Sequence, residues 1–555
     1  MERRLKKFKF IFVYGFTVLL LFSLLYFGLL PISIYSNRFR FWLVVIPALV
    51  AVPFIFQYRL VYKSRLRKNI DVSFYKKGFL QVKYVYYALG VAVLVFIILG
   101  VSTWPIFNTT RYRELIQVTE SEGFTQNIKD FSETKVPIID KDLAMRLGDK
   151  KLGELNLGSQ FTVNNYTMIK MEDELYWVGA LEYTGFFKWI NKKDEGTPGY
   201  IKINATDTSD VELVSDYKLK YVPSAYFGQD LMRRIYFSGN MDKVFSDYTA
   251  FELDETGHPY YIKTVLSKKF AYTKGRDAIG VVVCDAVNGD VHYYDIKDVP
   301  SWIDRIQPTD VIIEQLGYYG KYVHGFFNTL FAKKEVLQVS EGYSYVYNDG
   351  VFYLYTGLTS VGSDESIVGF TLTNMRTKET TFYRIGGATE YSAQNSAQGA
   401  VQDLGYKANW PILVNFEQTP TYFMTLKDKE GLIKKYAYVN VKDYSVYGIG
   451  DSLQSAQSNY RENLRTSTTN PNKGIDLKEV TSTVVRIVPV NGTSNYYFVL
   501  ENDSTNGYTV AYNVSFEVPL TSVGDRVNIK YYDNQSQSHV YTVEEFDNLE
   551  LTITE

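Results

Sequence analysis

Cysteine is almost missing from this chain. One residue in 555, Cys284, carries a thiol, so no disulfide can form within it. Secreted eukaryotic domains of this size more often carry bridges. The near-absence, with abundant Tyr, Asn and Lys, points to the outer face of a Gram-positive-type bacterial membrane. Histidine is nearly as scarce: His258, His292, His324 and His539 stand apart, with no HExxH or similar spacing to form a metal site. An excess of one charge is also lacking. The 59 Lys and Arg against 61 Asp and Glu leave a net charge of -2, which excludes bulk attraction to nucleic acid or anionic lipid outside local patches. No GxSxG elbow, Walker loop or post-strand GxGxxG occurs. Uncharged apolar runs of span length are absent after residue 107.

Before that point there are three such runs, 10–30, 41–56 and 84–107. The third, 24 residues without charge, is long enough to cross roughly 30 Å of hydrocarbon as a helix. The first is too long for a signal peptide and has no small-residue cleavage site after it. The second contains Pro47 and Pro53, which cost helix hydrogen bonds unless neighbours replace them. Charges orient the set. Arg3, Arg4, Lys6, Lys7 and Lys9 precede the first run, and 59–83 holds Arg59, Lys63, Arg65, Arg67, Lys68, Lys76, Lys77 and Lys83 against Asp71 alone. Only Arg38 and Arg40 lie between the first two runs. The positive-inside rule then predicts an N-terminus in the cytoplasm, a three-helix transmembrane anchor over 1–107, and an extracytoplasmic chain after about 107. Clustered Lys and Arg at 59–83 serve first as that topology signal, with anionic headgroups as the other available role.

Length alone predicts three or four units in the whole chain. Residues 108–136, mixed in charge, read as a stalk. From 137 a unit recurs: a helix, then a meander of alternating strands. The modules are expected at 137–220, 221–307, 308–386 and 387–466. Leu143, Leu147 and Leu152 mark the first helix, and Phe227, Leu231 and Ile235 the second. Ile312, Leu316, Tyr319, Val323, Phe327 and Leu330 form one stripe for the third. Ala393, Ala397, Ala400, Val401 and Leu404 give the fourth a small-residue face. Hairpin turns are expected at Asp254 to Gly257, at Asn288-Gly289 and at Asn348-Asp349-Gly350. An aromatic pair registers the modules: Tyr176-Trp177, Tyr260-Tyr261, Phe352-Tyr353 and Tyr422-Phe423.

A helix on an antiparallel meander, with strands such as GVVVCDAVNGDVHYYD, resembles the PepSY and YpeB-like modules of bacterial envelope proteins. That resemblance implies a cystatin-like fold and proteins that bind or restrain peptidases or partner cell-wall hydrolases. It carries no diagnostic motif over 140–450, so no functional residue transfers. After a closing helix, 467–474 reads as a linker, and 475–555 as about five strands of a small OB-like barrel with a turn at Val523 to Asp525. Such barrels often hold single-stranded nucleic acid in a basic groove. Here Lys478, Arg486, Arg526 and Lys530 face twelve Asp and Glu, a field that repels phosphates.

Candidate chemistry is sparse. Cys284 pairs on paper with His292, but VVVCDAV reads as a buried strand where cysteine acts as a small hydrophobe. Asp254 and Glu255 offer carboxylates for acid/base work or Ca2+, yet fall in a turn where such residues are solvated. Gly317, Gly320 and Gly325 suit close helix packing, and Trp302 an anchor between modules. The sequence thus predicts an α+β chain with no catalytic set, cofactor or metal. It predicts a membrane-anchored interaction or scaffold protein whose partner is another envelope protein or a cell-wall component, not nucleic acid. The alternatives are a wall- or peptide-processing enzyme with its site between modules, and an accessory subunit of a transport or export complex. The near-lack of charge within the three runs weighs against that last reading.

Overall fold

The computed structural model describes residues 15–16, 18–47, 73–128, 137–172, 174–361, 366–467, 477–490, 495–512, 514–531 and 540–551. The fold is α+β, in two compact units, Met1–Thr389 and Glu390–Glu555. Among the described residues the first unit holds the sheets of the first three modules and a two-stranded pair, Phe161–Thr162 with Glu182–Tyr183, and the second holds the sheet of the fourth module and a closed five-stranded barrel.

The N-terminal region contains helix at 18–26 and 37–47, then a 30-residue helix, Ser73–Ser102. Residues 10–14 and 48–56 of the first two apolar runs, and the basic loop up to residue 72, lie outside the described residues. Among the described residues no single helix is long and apolar enough to cross a membrane; one bent pair, Gly90–Ser102 and Pro105–Arg113 at 55°, meets that standard together. The bend has a local cause. Pro105 has no N–H to return to the Val101 carbonyl, which accepts the Trp104 N–H at 3.0 Å instead, and Asn108 Nδ2 donates to the next carbonyl, Ser102, at 2.6 Å.

The four meanders repeat one pattern. Each contains a four-stranded antiparallel meander preceded by a helix, within sheets of four, five, seven and five strands among the described residues. The second strands are Glu174–Ala180, Pro259–Phe270, Val351–Ser360 and Thr419–Lys427. The third strand of each ends on Asn or Asp: Asn204, Asp285, Asn374 and Asn440, paired with Tyr176, Tyr260, Tyr353 and Thr421. Each side-chain oxygen accepts N–H groups from the turn that follows, of Thr206, of Val287 and Asn288, of Arg376 and Thr377, and of Lys442 and Asp443. These are Asx turns, in which the side chain substitutes for a backbone acceptor. The next residue, Ala205, Ala286, Met375 or Val441, is buried, and its N–H reaches back to the second strand at Leu175, Pro259, Phe352 or Pro420. This register corrects the aromatic-pair alignment. The equivalent positions 176, 260, 353 and 421 lie 84, 93 and 68 apart by subtraction, so the third and fourth pairs are each one residue out of step. A slip of one residue exchanges the two faces of a strand.

Several expected helices change. Asp140 caps Lys141–Glu154 by accepting from the Leu143 N–H at 2.9 Å. In the second module Asp230 caps Leu231–Phe237, so Phe227 falls outside the helix and is exposed, while Leu231 and Ile235 are buried. The long third stripe is broken. Thr309–Lys321 buries Ile312 and Leu316, the chain turns at Gly325 (φ +85°), and Phe326–Leu330 forms a separate short helix. All three predicted turns are hairpin turns, with Gly257, Gly289 and Gly350 at positive φ.

Residues 108–128 are not a free stalk. Val118–Ser121 joins the third sheet as a parallel edge strand beside Thr380–Tyr383. Tyr112, Ile116 and Phe124 are buried, Phe124 against Phe370 and Tyr383. A fully buried Phe contributes about 1.5–3 kcal/mol, which outweighs the solubility of the intervening charges; residues 129–136 lie outside the described set.

In the second unit, Leu453–Thr466 opens with a Ser452–Ser455 capping box and lays Tyr460 on the sheet, where its hydroxyl meets Thr421 Oγ1 at 3.0 Å and Asn440 Nδ2 at 3.2 Å. Gly448 permits this contact. A Cβ there would lie 2.5 Å from the Ala456 carbonyl oxygen and closer still to the Tyr460 nitrogen, both backbone atoms. Gly448→Ala is expected to cost about 2 kcal/mol by overpacking. Hydrogen exchange in Tyr447–Gly450 and Leu453–Thr466 should accelerate while the barrel strands are unchanged; equal protection throughout would refute the close approach. The barrel pairs its strands in the order Lys478–Pro489, Asn495–Leu500, Asp503–Ala511, Val540–Asn548, Arg526–Tyr531 and back to the first. The third and fifth strands in sequence are parallel. The predicted turn is present, with Gly524 at φ +100° and Asp525 accepting the Ser522 N–H at 2.8 Å.

Candidate functional site

The polar groups of the first unit converge on the connector between the second and third modules, residues 299–307. Val299, Ile303 and Ile306 bury themselves on the second sheet with Ala250, Ile262, Val281 and Val283. Side chains from both neighbours fix the connector's backbone, among them Thr264, whose Oγ1 donates to the Ile306 carbonyl at 2.9 Å. From the third module, the Arg376 guanidinium donates to the carbonyls of Val299 at 2.6 Å, Pro300 at 2.9 Å and Ile303. The Met375 carbonyl accepts the N–H groups of Ile306 and Gln307. From the second sheet, Glu252 accepts the Asp304 N–H at 3.2 Å.

This places two carboxyls together. Burial, reinforced by the neighbouring Asp304, pushes Glu252 up to about 8, against the opposing pull of Arg305 and two backbone N–H groups. Asp304 rises to about 6, again through burial, with Arg305 opposing. Arg305 is only 9% exposed, and its guanidinium stacks 4.2 Å from the centre of the Tyr345 ring and 5.3 Å from that of Phe352. A pair of carboxyls with raised pKa values is the signature of acid/base chemistry. Accessibility decides against it here. Glu252 is 1% exposed and one of its oxygens is taken by the connector, so no substrate reaches it. Glu252 holds the connector through the Asp304 backbone N–H.

Beside the connector lies a row of rings that is accessible. Tyr217, His258, Tyr260 and Trp302 follow one another with centroids 4.9 Å apart at each step. All four are partly exposed. His258 Nε2 is 3.0 Å from Asp285 Oδ2, while the other oxygen of Asp285 holds the turn at Val287 and Asn288. The histidine is therefore fixed by an Asx-turn carboxylate and flanked by two tyrosines. Aromatic faces with fixed polar edges suit contact with a partner. Trp302, read from the sequence as an anchor between modules, packs on Tyr260 and the second sheet's own cluster, within the second module. The row's only trace in the sequence is the HPYY run and an isolated WID.

The other candidates are dispersed. Cys284 is fully buried opposite Val291, and burial pushes its thiol up to about 12, leaving no thiolate for nucleophilic work. His292 pairs across the strand with Val283 rather than Cys284. His324 lies 2.8 Å from Glu335, and His539 is outside the described residues. Asp254 accepts the N–H groups of Thr256 and His258 and caps its own turn, and Glu255 is exposed. Gly320 approaches the Leu337 carbonyl, whereas Gly317 and Gly325 have open space. Among the described residues no group of three His, Cys, Asp or Glu is placed to hold a metal ion.

No family model matches the chain, and no curated protein does. Two solved structures of B. megaterium levansucrase variants align over 75% of this chain and 97% of theirs, at 10% and 9% identity. Their TM-scores of 0.15 and 0.16 carry no argument about fold or activity.

Proposed function

We propose that this chain is a membrane-anchored, extracytoplasmic binding or scaffold protein of the bacterial envelope. One observation carries the reading. The segment between the first two apolar runs, assigned to the outside by its neighbours' charges, is docked on the second module. Tyr236 donates to the Leu30 carbonyl at 2.6 Å, the Ile32 N–H to Met241, and Lys268 to Asn37 at 2.8 Å. The predicted topology puts segment and module on the same side, and this contact supports it. Uncovered apolar side chains support it further: Val91, Leu94, Ile97 and Ile98 on Ser73–Ser102 are all more than half exposed, a surface that needs a nonaqueous neighbour.

The partly exposed ring row is the contact face we assign to the partner, another envelope protein or a wall component. The barrel's strand order, with its parallel third and fifth strands, supports an OB-like reading, and its acidic composition favours a protein partner over nucleic acid. In cells, Ser209→Cys should react with an impermeant maleimide added outside, and Lys68→Cys only after permeabilisation. Buried Cys284 supplies no background. The reverse pattern would overturn the topology, and an unlabelled Ser209→Cys the extracytoplasmic assignment.

A further inference from the structure

The short helix Phe326–Leu330, with the residue after it, carries an apolar ridge that faces away from the core. Phe327, Leu330 and Phe331 are 61%, 56% and 78% exposed, more than any buried-face role allows, and Phe327 stacks on Phe331 at 6.5 Å. The ridge is not a loose end. Phe326 packs, with Leu115 and Tyr318, onto the buried cluster of Tyr112, Phe270 and Tyr322. Tyr112 belongs to Pro105–Arg113, the helix that continues Ser73–Ser102 beyond its bend, and donates to the Thr103 carbonyl at 2.8 Å. At that bend Trp104 and Phe107 are themselves 58% and 66% exposed. Two exposed aromatic segments, distant in sequence, are thus clamped to one buried tyrosine where the apolar helix ends.

We propose that Phe327, Leu330 and Phe331 rest in the interfacial layer of the bilayer, as a membrane foot of the third module. This deepens the membrane-anchor reading and rests on it. The occupant follows from continuity: whatever medium surrounds the end of Ser73–Ser102 also meets the ridge held beside it. The residues fit that layer. Aromatic rings favour the headgroup boundary, and Lys333 and Lys334, both exposed, follow the ridge where anionic headgroups would attract them. The foot also explains why the helical stripe from Ile312 to Leu330 is broken at Gly325. Its first half faces the protein and its second half faces lipid.

The test uses the full chain in nanodiscs of phosphatidylcholine and phosphatidylglycerol, with an environment-sensitive fluorophore on Phe331→Cys or Ile98→Cys. Position 331 should lose fluorescence to lipids spin-labelled near the headgroup more than to lipids labelled deep in the acyl chain, and position 98 the other way round. Quenching at 98 without quenching at 331 would overturn the foot and leave the anchor standing. No quenching at either would overturn the anchor itself. As a second arm, Lys333→Glu with Lys334→Glu should reduce quenching at 331 in the anionic discs and leave it unchanged at 98. An unaffected signal at 331 would remove the lysines from the contact.

Discussion

Replacing Arg376 by alanine lowers the stability of the first unit by about 4 kcal/mol, since hydrogen bonds from a charged donor are each worth about 1.5–3 kcal/mol and several are lost together. The guanidinium serves the carbonyls of Val299, Pro300 and Ile303, and none of these residues lies in a strand. Arg376→Lys should recover little, because a single ammonium cannot satisfy acceptors arranged around a planar fork. Limited proteolysis is the direct readout. Cleavage within 299–307 should become fast in both variants while the barrel remains intact. Unchanged resistance in Arg376→Ala would show that burial of Val299, Ile303 and Ile306 holds the connector alone.

The second large effect is a crossing of two pH profiles. Glu252 in the folded protein takes up its proton at about 8, well above an ordinary unfolded glutamate. Between about 4.5 and about 8 the native state therefore holds a proton that the unfolded chain has released, and stability falls as pH rises through that window. Each pH unit crossed within it removes roughly 1.4 kcal/mol, so the loss between pH 5 and pH 8.5 is about 4 kcal/mol. Asp304 adds a change of the same sign at lower pH, ending near 6. Glu252→Gln removes the Glu252 component. It keeps an acceptor for the Asp304 N–H but leaves an amide donor without a partner, a cost of about 1–2 kcal/mol. The variant should be the less stable protein at pH 5 and the more stable one at pH 8.5, as read from exchange protection in Pro259–Phe270. Parallel profiles would show that Glu252 is not the proton-binding group.

Local features were readable from the sequence, and the reasons are local. Asn288-Gly289 and Asn348-Asp349-Gly350 specify turns by their own backbone preferences, whatever surrounds them. The helix–meander alternation and the five barrel strands follow from periodicity. Aromatic pairs misled the register because tyrosines occupy both faces of these strands, so pairing by ring type tolerates a slip that pairing by Asx does not. The better marker, an Asn or Asp followed by a buried apolar residue at 204, 285, 374 and 440, looks like any strand end until its turn hydrogen bonds are seen. Residues 108–128 were misjudged for the opposite reason. Their charges, such as Glu120, are surface groups matched by Arg384 at 2.7 Å, and the few apolar residues that decide their fate meet partners far along the chain. The connector clamp was invisible on the same ground, since Arg376 and Val299 are 77 residues apart.

The edge strand Val118–Ser121 has a kinetic consequence. Its partner, beginning at Thr380, is synthesised 262 residues later by subtraction. Until then the nascent chain presents an unsatisfied strand and bare Ile116 and Phe124, while the first two modules can already close on themselves. Long-range pairing of this kind is slow and open to misassociation. The first unit thus has a last step, the capture of its own beginning by the third module. A chain interrupted before residue 380 should be sticky at its N-terminal end however well its earlier modules have folded.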